Sequence, residues 1–432
     1  MRRWSSTALV AVVCVSAGFV ARRQGPPAGC DAGNVGLTLP QGFCAGVFAR
    51  GIAGARHMAV ADNGDVFVIT NPAGRRGGGP PRGVFRLRDG NGDGRADSVE
   101  RVADGTGSGI WVTKTALYSE GGGSTIVRYA LKPGTTDLAG TVDTIVSGIP
   151  RGPDHVSREF VIRGNDLFVN VGSPSNICEK PGNSRDVPWV SADPCPELAT
   201  RAGIWKFDAT KVGQVFSAAQ RYVTGLRNGV GITFNPLDNE LYSTQHGRDQ
   251  LRFFRKSADS LDYNAENPGE EFFHIVAGGD YGWPYCFYSF EAKKKVTGPE
   301  YGGDGTQDDR CRDKQKPLYA FPGHWAPNGA MFYTGRQFPA EYRGGVFVAF
   351  HGSWNRAPLA PGGYNVTFLP FRNGQATGPH RVFADGFYGD KARPTSASGE
   401  HRPVGLAQLR DGSLLVSDDA AGTIFHIVYT GK

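Results

Sequence analysis

Short runs with an apolar residue at nearly every second position recur along the chain, each led in by a polar turn. They read Asn63-Gly-Asp-Val-Phe-Val-Ile, Lys114-Thr-Ala-Leu-Tyr-Ser, Gly164-Asn-Asp-Leu-Phe-Val-Asn, Asp238-Asn-Glu-Leu-Tyr-Ser, Arg343-Gly-Gly-Val-Phe-Val-Ala and Asp411-Gly-Ser-Leu-Leu-Val-Ser. Alternation bounded by Gly, Asn and Asp predicts β-strands that close hairpins. Six copies of one pattern predict six sheets of similar build, and the uneven gaps between copies put the excess residues in loops. Shorter apolar lead-ins (Met58-Ala-Val-Ala, Ile232-Thr-Phe and Leu406-Ala-Gln-Leu) predict a second inner strand beside three of the copies. No long stretch carries helical spacing, which speaks against a parallel β/α barrel. The pattern therefore predicts an all-β fold, a six-bladed β-propeller with long disulfide-bearing loops at about 173–200 and 287–323. A β-sandwich or a longer all-β array is the plainer alternative.

Composition supports many strands and turns, with 62 Gly and 28 Pro in 432 residues. The net charge of +6 is spread without a sustained Lys/Arg run, so no nucleic-acid partner is expected. Arg2 and Arg3 precede an apolar run from Thr7 to Val20, and Ala17 and Ala21 offer small residues for cleavage. That arrangement predicts a signal peptide over residues 1–21, an N-terminal extension over 22–38 and the propeller over 39–432. The expected location is periplasmic or extracellular, without stable membrane insertion. Cys14 follows Val13, a poor lipoprotein cleavage residue. Past the signal stand Cys30, Cys44, Cys178, Cys195, Cys286 and Cys311, an even set that predicts disulfides in an exported chain. Nearest-neighbour pairing is expected, since each pair would tie down one local loop. The absence of CxxC and CxxCH speaks against a zinc ribbon and an attached haem.

One local motif is sharp. Asp89-Gly-Asn-Gly-Asp-Gly-Arg-Ala-Asp-Ser-Val-Glu100 matches a calcium loop at every specified place, with Asp89, Asn91, Asp93, Asp97 and Glu100 as oxygen donors. Its flanks read as strands, so a hairpin carries it and its role would be structural. A solvated acidic turn is the alternative. Five further clusters combine His or Arg with Gly at strand ends, most with an aromatic close by. They are Gly152-Pro-Asp-His-Val-Ser-Arg158 and Gly225-Leu-Arg-Asn-Gly-Val-Gly231, then Thr244-Gln-His-Gly-Arg-Asp-Gln250 with Gly278-Gly-Asp-Tyr-Gly-Trp-Pro-Tyr285. Gly323-His-Trp-Ala-Pro-Asn-Gly329 with His351-Gly-Ser-Trp-Asn-Arg356, and His401-Arg-Pro-Val-Gly405, complete the set. Each alone fits an ordinary surface turn. In a propeller, equivalent strand ends meet around the central channel, where the five would form one polar site.

Taken together these motifs resemble the glucose/sorbosone dehydrogenase family, its L-sorbosone dehydrogenases most of all, from Leu39-Pro-Gln-Gly-Phe to Asp418. The resemblance implies a six-bladed propeller that uses pyrroloquinoline quinone (PQQ) and calcium to oxidise a sugar or sugar aldehyde. It implies His155 as the general base, with Asp154 orienting it. Arg227 and Asn228 would hold the quinone's oxygens, with Arg402 and one of His351 or Arg356 across from them and His324 as a further contact. The backbone carbonyls of Gly247 and Arg248 would bind the cofactor's calcium. The chain departs from the glucose-oxidising members, which carry a Lys where His351 and its Trp-Asn-Arg stand, and in the Gln-His-Gly-Arg-Asp-Gln loop. Electrons would pass to an external acceptor. The alternatives are a non-catalytic propeller binding module and a calcium-dependent sugar lactonase. The lactonase would need a ring of carboxylates where these clusters are rich in Arg and His.

Overall fold

The computed structural model describes residues 29–71, 82–180, 191–251, 260–389 and 399–431, and the expected signal peptide, residues 1–21, lies outside them. Six blades of four antiparallel strands ring a central channel. Blade 1 comprises Ala55–Val60, Val66–Thr70, Val84–Arg88 and Ser98–Ala103, and blade 2 Ile110–Val112, Ala116–Glu120, Ile126–Leu131 and Leu138–Ser147. Blade 3 comprises Phe160–Arg163, Asp166–Val171, Gly203–Asp208 and Arg221–Thr224, and blade 4 Ile232–Asn235, Glu240–Gln245, Glu270–Ile275 and Tyr319–Phe321. Blade 5 comprises Pro327–Phe332, Val346–Phe350, Asn365–Leu369 and Arg381–Ala384. Blade 6 joins Pro403–Gln408, Leu414–Asp418 and Ile424–Tyr429 to the first strand of the chain, Phe43–Ala49.

Each of the six alternating runs is the second strand of its blade, and Met58, Ile232 and Leu406 lie in innermost strands. Val66–Thr70 and Val346–Phe350 are buried along their whole length because a neighbouring blade covers each face. Innermost strands of successive blades lie against one another all round the ring. Closure comes from the register Phe43↔Tyr429 to Gly46↔His426, which ties the described N-terminus to the last strand. The ring of Phe43 there meets Phe338, Tyr342 and Phe383 edge-on at 4.8, 5.4 and 5.0 Å. Closing the ring removes the open sheet edges that a flat array would leave.

The disulfides are Cys30–Cys44, Cys178–Cys195 and Cys286–Cys311, the nearest-neighbour pairing. The two long cysteine-bearing insertions meet: Trp283 Nε1 donates to Asn176 O at 2.9 Å, and Tyr301 Oη to Ile177 O at 2.9 Å. They build up one face of the disc, where second strands end and innermost strands begin. A short helix, Ser260–Glu266, sits on the same side.

Candidate active site

The predicted clusters occupy that face. His155 precedes the innermost strand of blade 3, Arg227 and Asn228 that of blade 4, His324 that of blade 5 and Arg402 that of blade 6. Gly247 and His351 follow the second strands of blades 4 and 5. His155, Arg227, His246, Gly247, Asp249, Glu270, His324 and Trp354 line one cavity of about 140 Å³. A larger cavity of about 570 Å³ lies far round the disc, against Asp89, Gly94, Asp411 and His426, and contains none of these groups. The smaller one holds the concentration of titratable side chains that chemistry needs.

The ring of His155 is set by Ser173. Its Nδ1 donates to the Ser173 carbonyl at 2.8 Å, so the neutral imidazole presents a bare Nε2. The Asp154 carboxylate expected to orient the ring is not among the ring's hydrogen-bond partners, and Ser173 holds that place. Burial, with Arg227 and His246 nearby, pushes the His155 pKa well below 6.5. Both His155 (φ 48°) and His324 (φ 62°) have left-handed backbones, a conformation that costs a non-glycine residue about 1–2 kcal/mol. Gly172 makes room for this arrangement: a Cβ there would sit 2.6 Å from that of His155 and 3.2 Å from Asn228 Oδ1.

Arg227 is buried and already heavily bonded. Its Nε donates to Asn176 O at 3.1 Å, Nη1 to Gly247 O at 2.9 Å, and Nη2 to Asn176 Oδ1 at 3.0 Å and Asp249 Oδ2 at 3.1 Å. The Gly247 carbonyl, expected at calcium, thus already accepts one bond, while Gly247 N donates to Glu270 Oε2 at 2.7 Å. Burial raises the Glu270 pKa to about 8 and lowers that of His246 to about 3. The guanidinium of Arg248 forms a buried ion pair with Glu300. His324 Nε2 donates to Asn264 O at 2.6 Å, leaving Nδ1 3.7 Å from Asp249 Oδ1.

The remaining cations act on the surrounding frame. His351 Nε2 donates to Asp419 Oδ1 at 2.8 Å, and Arg402 Nε and Nη2 donate to the carbonyls of His351 and Gly352 at 3.0 Å. Although burial opposes it, His351 and Arg56 hold the Asp419 carboxyl below the usual range. Arg356 donates through Nη1 to Ala265 O at 2.8 Å and Gly323 O at 3.0 Å, where it braces its own loop. Asn176, Ser173, Asp249 and Glu270 had no assigned role in the sequence. Asp249 stands inside the quoted Gln-His-Gly-Arg-Asp-Gln loop, whereas nothing in the sequence joins Asn176 to Arg227.

The Asp89–Glu100 loop sits on the far side of blade 1. Asp89 caps its own turn, accepting from Gly92 N at 2.8 Å and Gly94 N at 2.9 Å, and Asp97 Oδ2 accepts from Gly90 N at 2.6 Å. Asn91 Nδ2 spans Asp97 Oδ1 at 2.9 Å and Asp93 Oδ2 at 3.4 Å. Glu100 reaches across the ladder to its paired residue, accepting from Arg86 Nη2 at 2.6 Å.

The TrAA12-like family model matches residues 37–430. An uncharacterized protein of Borreliella burgdorferi is 31% identical over 270 residues, covering 62% of this chain and 58% of its own length. A pyrroloquinoline quinone-dependent pyranose dehydrogenase of Coprinopsis cinerea is 29% identical over 308 residues, 63% of this chain and 38% of that protein. The match thus spans about half the length of these curated relatives, or less. Among solved structures, the holo form of the pyranose dehydrogenase PQQ domain from Coprinopsis cinerea superposes with a TM-score of 0.73 at 22% identity, covering 91% of this chain and 97% of that one. The calcium structure of a Trichoderma reesei carbohydrate-active enzyme of family AA12 gives a TM-score of 0.73 at 21% identity, over 91% and 97% of the two chains. These two likenesses establish a shared fold, and with its model matched over residues 37–430 the chain belongs to the TrAA12-like family.

Proposed function

We propose that the chain is an exported quinoprotein that oxidises a sugar, with residues 39–432 as the catalytic propeller, residues 1–21 as its export signal and 22–38 as an extension. The supporting observation is the cavity that gathers His155, Arg227, His246, Asp249, Glu270 and His324 at the channel mouth. Its donor set suits PQQ with calcium. The Gly247 carbonyl and the Asp249 and Glu270 carboxylates are hard oxygen donors for the cation. Arg227, kept in place by Asn176, supplies N–H groups for a tricarboxylate, with Asn228 and Arg402 on neighbouring strand ends as further donors. The relatives named for PQQ and for pyranose oxidation support the same assignment.

PQQ supplies the acceptor for the hydride that leaves the sugar carbon. His155 Nε2 takes the proton of the substrate hydroxyl, and the Ser173 carbonyl steadies the imidazolium that results. Burial, with the Arg227 charge beside it, discourages a resting proton on His155, so the base is ready at neutral pH. An external acceptor takes the electrons onward. The test is a titration of the purified chain with PQQ and calcium, followed by absorbance and by dye reduction across a sugar panel. Saturable binding with sugar-dependent reduction is expected. A chain that never binds the quinone would be a binding module.

A further inference from the structure

The bond from His155 Nδ1 to Ser173 O sets which ring nitrogen of the base is bare. The Ser173 hydroxyl reinforces it. Its Oγ donates to Ser175 O at 2.6 Å, so toward His155 Nδ1, 3.1 Å away, it can only accept. A ring flipped about its own axis would lose both acceptors. The two chain segments that meet in this bond are held by a pair of buried arginines, neither of which lines the cavity.

Arg158 is completely buried, and its guanidinium bonds run to main-chain carbonyls of its own loop. Nη1 donates to His155 O at 2.8 Å and Ser157 O at 3.0 Å, and Nη2 to Pro150 O at 2.6 Å. The two arms of one planar group thus gather both ends of the turn over 150–157, and one arm grips the His155 peptide itself. The turn needs that grip because His155 has a φ of 48°, and a left-handed backbone persists only where its surroundings over-determine it. Glu120 Oε2, on blade 2, accepts from Arg158 N at 3.0 Å and anchors the end of the turn.

Arg201 works from the other side of the bond. It is buried, and its Nε donates to the carbonyl of Gly172, the neighbour of Ser173, at 2.7 Å. Its Nη2 reaches the carbonyl of Asp154, the neighbour of His155, at 3.5 Å. Gly152 leaves room for this fork, since a Cβ there would sit 2.7 Å from Arg201 Nη1. Burying a guanidinium is costly, and an apolar side chain would fill either place at less cost if packing were the only need.

We propose that Arg158 and Arg201 are positioning residues whose forks on main-chain carbonyls fix His155 against Ser173 and so aim its bare Nε2 at the substrate hydroxyl. Neither touches the reacting atoms. The inference rests on His155 as the base of the function proposed above and adds what aims it.

The test reads Arg158→Lys and Arg201→Lys, which keep the charge but lose the fork. Long-range proton–nitrogen NMR is recorded on protein carrying isotope-labelled histidine, and the His155 signal is identified by its loss in His155→Ala. The wild type should show one neutral tautomer with the proton on Nδ1, and each Lys variant a mixture of the two. With PQQ and calcium bound, kcat per bound quinone should fall on the order of 100-fold in each variant, while KM for the best sugar of the panel stays near wild type. Should one variant fail to fold, the other carries the same test. A folded variant that keeps the single tautomer would overturn the proposal, whatever its Tm or turnover. Mixed tautomers in the wild type would overturn it without any variant. Mixed tautomers in the variants with undiminished kcat would keep the positioning role and reject His155 as the base.

Discussion

At the scale of single residues, the imidazole of His155 is governed by burial and by the cations beside it. Its pKa lies well below 6.5, so a base that works as the neutral ring stays active on the acid side of that value. The expected pH profile of kcat/KM is flat from about pH 8 down to about pH 6.5, with its acid limb lower still. An acid limb centred above pH 6.5 would remove His155 as the base. Deeper in the channel, Glu159 is buried, neither carboxylate oxygen has a well-formed hydrogen bond among the described residues, and Oε1 lies 3.3 Å from His57 Nδ1. Burial lifts its pKa from 4.5 to about 7, against the pull of Arg56 and Ser108 and helped by Glu120. A folded pKa above the unfolded one gives stability that is full below pH 4.5 and fades as pH rises through about 7. At its limit the difference is on the order of 3 kcal/mol. Glu159→Gln should therefore raise Tm relative to wild type at pH 8 by a few degrees, and by less or nothing at pH 5. Thermal melts at the two pH values decide it.

At the scale of elements, the insertion bearing Cys178 matters because Asn176 fastens it to the 225–249 region. Asn176 Oδ1 accepts from Arg227 Nη2 at 3.0 Å and Asp249 N at 2.8 Å, and its carbonyl accepts from Trp283 Nε1 at 2.9 Å. Asn176→Ala should cost about 1–3 kcal/mol by leaving buried donors unpaired. It should also weaken PQQ binding more than it changes Tm predicts, which a cofactor titration beside a melt would reveal. The loop from Asp89 to Asp97 carries a separate prediction. If it takes a structural calcium, added calcium raises Tm in the wild type and less so in Asp93→Ala, whereas equal shifts would leave it an acidic turn. The second strands were legible in the sequence because each blade buries them on both sides of an alternating, turn-bounded run. Outermost strands such as Ser98–Ala103 were not, since their mostly exposed residues are free to be polar. The closing strand Phe43–Ala49 went unread because its partner lies at the other end of the chain. His155, Arg227 and His324 were visible from their motifs. Ser173, Asn176 and Glu270 were hidden, because only the blade geometry brings them to those motifs.

At the scale of the whole molecule, the ring is held shut by a single strand pairing, so damage there should spread. Phe43→Ala would open a cavity among Phe338, Tyr342 and Phe383 and cost about 3–5 kcal/mol. A denaturant melt is expected to show that loss as one lowered transition for all six blades. Function has the same geometric origin: residues from three blades reach the cavity only because the ring brings their strand ends together. The decisive measurement is a single-turnover experiment on PQQ- and calcium-loaded protein, in which a pyranose reduces the quinone and absorbance follows it. Wild type should be reduced rapidly, while His155→Ala should bind quinone with similar affinity and be reduced at least roughly 100-fold more slowly. Equal reduction rates in the two proteins would contradict the assignment of His155 as the base.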